Sequence, residues 1–200
     1  MSELALRYSR KTPRHDVRVS VPQGAVTRLH LPDDDAKAHL VTAMLKARTE
    51  PGEELELFGE STAALATRQR DRVRSRIGAV SPIVGLMTNL NAWENISLPA
   101  AYHGAPALAE VAELAHEVLA AFGAEPRYFF ARVPDELGTL ERKIASFIRL
   151  LVAAPELIVF DALEDGLSHA ECRYAARFEA EYRARRPVGT VLYVDTKEDA

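Results

Sequence analysis

The segment ELIVFD (156–161) places four consecutive apolar residues, Leu157 to Phe160, between two acids. A half-buried strand would alternate apolar with polar, and a surface helix would space its apolar residues three and four apart. A short run with no polar interruption suits a strand covered on both faces, as in a parallel sheet flanked by helices. GTVLYVD (189–195) repeats the pattern, again closed by an aspartate. Between them SHAECRYAARFEAEYRARR (168–186) reads as one helix. Strand, helix and strand in that order predict an α/β fold with a parallel core sheet.

The N-terminal third extends this pattern with half-exposed strands. VRVSVP (17–22), AVTRLHL (25–31) and ELELFG (54–59) each alternate, and Gly24 and Gly59 punctuate turns. From Ala36 to about Arg48, Leu40, Val41, Met44 and Leu45 recur at helix spacing until EPG (50–52) stops them. The first sixty residues thus read strand, strand, helix, strand. TAALATRQRDRVRSR (62–76) is a polar, basic, exposed helix, and RIGAVSP (76–82) a short strand ending at Pro82.

Helices dominate the middle. PALAEVAELAHEVLAAFG (106–123) is amphipathic with Gly123 as its stop, and GTLERKIASFIRLLVAA (138–154) is a second such helix. The expected organisation is a single domain over 1–200, with an antiparallel β edge and a helical insertion over about 83–153. With 48% hydrophobic residues the chain can fill one core.

Lysine and arginine number 25 against 29 for aspartate and glutamate, a net charge of −4 that argues against general nucleic-acid binding. MSELALRYSRK has the composition of neither a signal peptide nor an anchor, and no apolar run approaches the length of a membrane span. The single cysteine, Cys172, excludes an internal disulfide framework and reads as a small residue on a helix face. A cytoplasmic protein is expected, with the inner face of the cell membrane as a peripheral location.

LPDDDAKAHL (31–40) lies between a strand and a helix, where a phosphate-binding loop would lie. Such a loop needs glycines that let backbone N–H groups curl around phosphate, a lysine for the outer oxygens and a hydroxyl for Mg²⁺. Only Lys37 is of the required type. Asp33, Asp34 and Asp35 would face a triphosphate, and one like-charge contact at 4 Å costs about 1 kcal/mol in water and about 4 near a protein surface. A micromolar affinity is only about 8 kcal/mol. Aspartates at a helix start instead cap its free N–H groups and favour its dipole, by roughly 0.3–1 kcal/mol each. The expectation is a helix entrance filled by the chain's own carboxylates.

The order of these pieces resembles the nucleotide-binding domain of ATP-binding-cassette (ABC) transporters across nearly the whole chain. LPDDDAKAH stands at the Walker A loop, RIGAVSPIVGLMTNLNAWENISLP (76–99) at the Q-loop segment, PDELGTLERKIASFIRLLVAAPELIVFD (134–161) at the signature helix and Walker B strand, and GTVLYVDT (189–196) at the switch strand. The resemblance implies a P-loop NTPase-like fold with ATP and Mg²⁺ as cofactors. It places three residues at cofactor-binding positions: Tyr8 at the adenine-stacking aromatic, Lys37 at the loop lysine and Asp161 at the Walker B acid. The remaining positions depart from it. Leu31 and Ala36 replace the loop glycines, Ala38 the metal-binding hydroxyl, and Pro82 the Q-loop glutamine. LGTLE (137–141) replaces the signature, with Gly138, Thr139 and Leu140 at its serine and glycines. Ala162 replaces the catalytic glutamate, Ser168 the D-loop aspartate and Thr196 the switch histidine. Glu164, His30 and His39 match none of these roles. No catalytic residue and no metal ligand are expected, and no cofactor either.

NLNAWENISLPAAYHG (89–104) keeps the family pattern. In the family it lies beside the docking site of the membrane subunit, and Trp93, Leu98, Pro99 and Tyr102 are the candidate docking residues, although Trp93 and Leu98 could equally pack the helical insertion. The leading expectation is a pseudo-ATPase subunit of a transport system. Its partners would be an ABC permease, a second nucleotide-binding subunit or another copy of itself. The alternatives are a working ATP-binding subunit and a soluble regulatory scaffold. The resemblance also predicts that the family's extra C-terminal helices are absent or short.

Overall fold

The computed structural model describes residues 3–104 and 106–196. Two compact units share the chain: Met1–Ile83, Pro155–Ala162 and Arg186–Ala200 in the first, Val84–Ala154 and Leu163–Arg185 in the second. The second takes in a C-terminal stretch as well as the middle segment expected to be helical.

The first unit opens with a strand that the alternation did not reveal, β1 (Leu4–Lys11). Ala5, Leu6 and Tyr8 are all buried there, and the pairing with the next strand is irregular between Leu4 and Leu6. A bulge of this kind breaks the period of two that a strand is read by. β2 (Asp16–Pro22) pairs with it antiparallel, Tyr8 opposite Val19. β3 (Val26–Leu31) belongs to the other sheet and runs into α1 (Asp34–Lys46), two residues longer at its start than the apolar spacing indicated. β4 (Glu53–Leu57) pairs with β1, and a two-residue β5 (Glu60–Ser61) pairs with β4. The expected helix over 62–76 is a 3-10 turn at Thr62–Ala64 followed by α2 (Thr67–Ser75). β6 (Ile77–Val80) then enters the parallel sheet.

One sheet is antiparallel in the order β2-β1-β4-β5. The other runs β3-β8-β7-β6, where β7 is Leu157–Asp161 and β8 is Thr190–Thr196. All five residues of β7 are buried, as its unbroken apolar run requires. Leu40, Val41 and Met44 of α1 are buried in a core shared by the inward side chains of both sheets, among them Leu6, Val19, Leu57, Val159 and Leu192. Each contributes about 1.5–3 kcal/mol of apolar burial. This is the α/β architecture of parallel sheet, antiparallel sheet and helices that the sequence predicts.

The second unit holds α3 (Ala92–His103), α4 (Leu108–Phe122), α5 (Pro126–Phe129), α6 (Thr139–Ala153), α7 (His169–Cys172) and α8 (Ala175–Arg185). The helix predicted over 168–186 is broken between α7 and α8. α4 stops at Gly123 with φ 68°, as expected. Its core is aromatic: Phe122 and Phe147 each meet Phe178, with ring centroids 4.6 and 5.1 Å away.

Candidate functional site

The entrance to α1 follows from its three aspartates. Asp33 is extended and caps the helix, its Oδ1 accepting the Ala36 N–H at 2.8 Å. The Lys37 N–H donates to the Asp33 carbonyl at 3.1 Å, so the helical ladder has already begun at the lysine. Only Pro32 and Asp33 separate β3 from α1. Asp34 and Asp35 form the first helical turn, where carboxylates favour the dipole.

Each aspartate also has a charged or ring partner. The Asp33 carboxylate lies 3.0 Å from His15 Nε2. Asp34 lies 3.3 Å from Lys37 Nζ. Asp35 accepts from Arg10 Nη1 at 2.9 Å, and that hydrogen bond holds its carboxyl below the usual carboxylate range.

Lys37 leans across to the end of β7. Its Nζ is 3.6 Å from Asp161 Oδ1, which is an ion-pair distance beyond hydrogen-bond reach. Oδ1 accepts no hydrogen bond among the described residues, while Oδ2 accepts the Ser81 hydroxyl at 2.5 Å. Asp161 is only 3% exposed, so the ammonium is the counter-charge that keeps an ionised carboxylate there from isolation. Parallel pairing of β6 with β7, Val80 opposite Phe160, delivers Ser81 to Asp161.

Tyr8 has a different partner. It is 1% exposed, and its hydroxyl donates to Glu53 Oε1 at 3.0 Å, so its ring presents no free face for stacking. Burial, and then the Glu53 carboxylate, push its phenol above the ordinary range. Glu53 also takes His39 Nδ1 at 2.9 Å and Arg10 Nε at 3.4 Å, which links β1, β4 and α1. The structure therefore joins Lys37 to Asp161 and sets Tyr8 in a separate polar network.

Elsewhere, several of the positions singled out in the sequence have local partners. Gly138 begins α6, and its N–H donates to Glu141, which is paired with Arg132. Ser168 caps α7 and bonds Glu171. Ala162 has φ 50° and donates its N–H to the Val194 carbonyl. Pro82 and Glu164 are exposed, and His30 is an exposed position of edge strand β3.

The docking candidates divide. Trp93 stacks edge-on against Phe130 with centroids 5.5 Å apart, while Leu98, Pro99 and Tyr102 share another face of α3 by helical spacing. Tyr102 is 85% exposed.

Sequence reasoning missed Arg10, His15, Glu53 and Ser81. Three of these depend on β1 and its hairpin, which was not recognised. Ser81 becomes visible only when β6 and β7 are neighbours.

No protein-family model matches the chain. It is 22% identical over 172 residues to the probable ribonucleotide transport ATP-binding protein mkl of Mycobacterium bovis and of Mycobacterium tuberculosis. That match covers 85% of this chain and 47% of the relative, so the chain spans about half the length of the curated relatives it matches. Two solved structures cover 98% of it. CbiO1 of Clostridium perfringens, part of the ABC transporter complex cbiONQ, gives a TM-score of 0.74 at 14% identity over 79% of its own length. The cassette MJ0796, in a dimeric post-hydrolysis state with ADP and Pi, gives 0.76 at 20% over 88%.

Proposed function

We propose that this chain, which has the fold of an ABC transporter nucleotide-binding domain, is a pseudo-ATPase subunit of a membrane transport system that acts through protein contacts. The observation carrying the reading is the entrance to α1. Helix has replaced the loop a phosphate needs, and its three carboxylates are satisfied by His15, Lys37 and Arg10. The Lys37 ammonium already faces Asp34 and Asp161. Ala38 offers no oxygen to a metal, and Tyr8 is buried. These residues do not fit a triphosphate with Mg²⁺, so no hydrolytic step is assigned to them.

The partners follow from the relatives. CbiO1 belongs to a transporter complex and MJ0796 forms a dimer. For this chain the partner is a permease-type membrane subunit, a second nucleotide-binding subunit or a second copy. No helix among the described residues is long and apolar enough to cross a membrane. The chain would sit on the cytoplasmic face, with Leu98, Pro99 and Tyr102 as the contact face and Trp93 supporting it.

A second reading, a working ATP-binding subunit, is favoured by the likeness to the ADP-bound cassette. An ATPase assay on purified protein separates the two. The proposal expects a rate no higher than that of Lys37→Ala. A rate well above that variant would sink it.

A further inference from the structure

Residues 61–76, which contain α2, hold five arginines and a single acid, Asp71, in a chain whose net charge is −4. Three of the five are engaged within the fold. Arg70 donates from Nε to the Ala47 carbonyl at 3.2 Å and from Nη2 to the Leu65 carbonyl at 2.9 Å. Arg74 donates from Nε to the Leu45 carbonyl at 3.2 Å. Arg70 and Arg74 thus cover carbonyls at the end of α1, where cations favour the helix dipole. Arg76 pairs with Glu156 and lies 3.7 Å over the centre of the Phe58 ring.

Arg68 and Arg72 are not engaged in this way. Both are exposed, and helical spacing puts them one turn apart on the side of α2 away from buried Val73. Neither has a carboxylate or carbonyl partner among the described residues, and like charges at that spacing repel. Lys46 and Arg48 are exposed and lack such a partner too, and in sequence they flank the α1 carbonyls that Arg70 and Arg74 hold. Val73 is the only apolar residue of α2, so its outer face presents charge and polar groups alone.

We propose that Arg68 and Arg72, with Lys46 and Arg48, form an electrostatic contact for the anionic headgroups of a lipid bilayer. A protein partner is held mainly by aromatic or apolar anchors, and a single-stranded nucleic acid by stacking on aromatic rings. The outer face of α2 offers neither. An anionic bilayer needs only cations held at its surface, each of which strengthens binding about fivefold. The choice of a bilayer over a duplex nucleic acid rests on the reading that the chain works at a membrane. The contact itself requires no membrane subunit.

The test mixes the purified full chain with vesicles of phosphatidylglycerol and phosphatidylcholine in equal parts and pellets them. The expected result is co-sedimentation that raised salt abolishes and that pure phosphatidylcholine vesicles do not support. Arg68→Gln with Arg72→Gln should weaken it by about tenfold or more. Arg68→Lys with Arg72→Lys should retain it, because the surface reads charge rather than the guanidinium's fork. Should the glutamine variant not fold, Lys46→Gln with Arg48→Gln carries the same expectation. No co-sedimentation, or equal co-sedimentation of the glutamine variant and the wild type, overturns the contact. Tighter binding to duplex DNA than to the vesicles also overturns it, as does self-association that the glutamine variant abolishes. These would make the occupant a nucleic acid or a second copy. No membrane subunit or nucleotide is present, so each of these failures leaves the pseudo-ATPase reading standing, and the ATPase assay decides that reading separately.

Discussion

The entrance to α1 and the Val84–Leu90 loop are opposites in how they treat charge. At the first, three carboxylates gather at a helix start, and each has a partner from the chain itself. At the second, the Arg149 guanidinium donates to the carbonyls of Val84 and Gly85, and Met87 is exposed. The first region meets its charges with side chains of the chain itself, whereas the second meets one with main-chain oxygens. The family resemblance alone would have pointed to the first.

The strongest way to break this contrast is to remove Lys37. If its ammonium is a structural counter-charge, Lys37→Met strands Asp161 and lowers stability by about 3 kcal/mol in urea unfolding. An unchanged midpoint would mean that the lysine is idle and available to a ligand. Asn95→Ala should cost about 2 kcal/mol, because it leaves loop groups at Met87 and Leu90 without partners. It should also loosen the loop, read as faster amide exchange confined to that stretch.

The two docking aromatics sharpen the comparison further. Trp93→Ala removes a ring stacked on Phe130 and should destabilise by about 2 kcal/mol. Tyr102→Ala, at an exposed position, should change stability by less than about 0.5 kcal/mol while weakening membrane recruitment.

Acid should weaken ion pairs of the first unit. Hydrogen bonds from Arg10 and Arg76 hold the carboxyls of Asp35 and Glu156 below their ordinary values. Such groups stabilise the fold above the unfolded carboxylate range near about pH 4 and lose that contribution as pH falls through their lower folded values. Urea midpoints should therefore fall below about pH 4, and less steeply in Arg10→Gln. At Ala154, which ends α6 with φ 52°, the expected change is a gain. Ala154→Gly should raise stability by about 0.5–1 kcal/mol.

Much of the fold was legible because burial leaves a period in the sequence. The apolar run of β7 and the spacing of Leu40, Val41 and Met44 located the parallel sheet and α1. β1 escaped because its bulge buries adjacent residues, and with it went Arg10 and His15, whose roles depend on that hairpin. The break between α7 and α8 left no apolar signal.

At the site, Asp33 as a helix cap was readable from residue type alone. The start of α1 at Asp34 was not, since Asp34 and Asp35 are exposed and carry no periodicity. Ser81 gave no sign either. Its importance comes from a neighbour eighty positions away in sequence.

Calorimetric titration of the purified chain with ATP, with and without Mg²⁺, tests the central claim most directly. If the chain's own carboxylates take the place of phosphate at the α1 entrance, as proposed, no binding heat is expected at millimolar nucleotide. Saturable binding at micromolar concentration, abolished by Lys37→Ala, would contradict it.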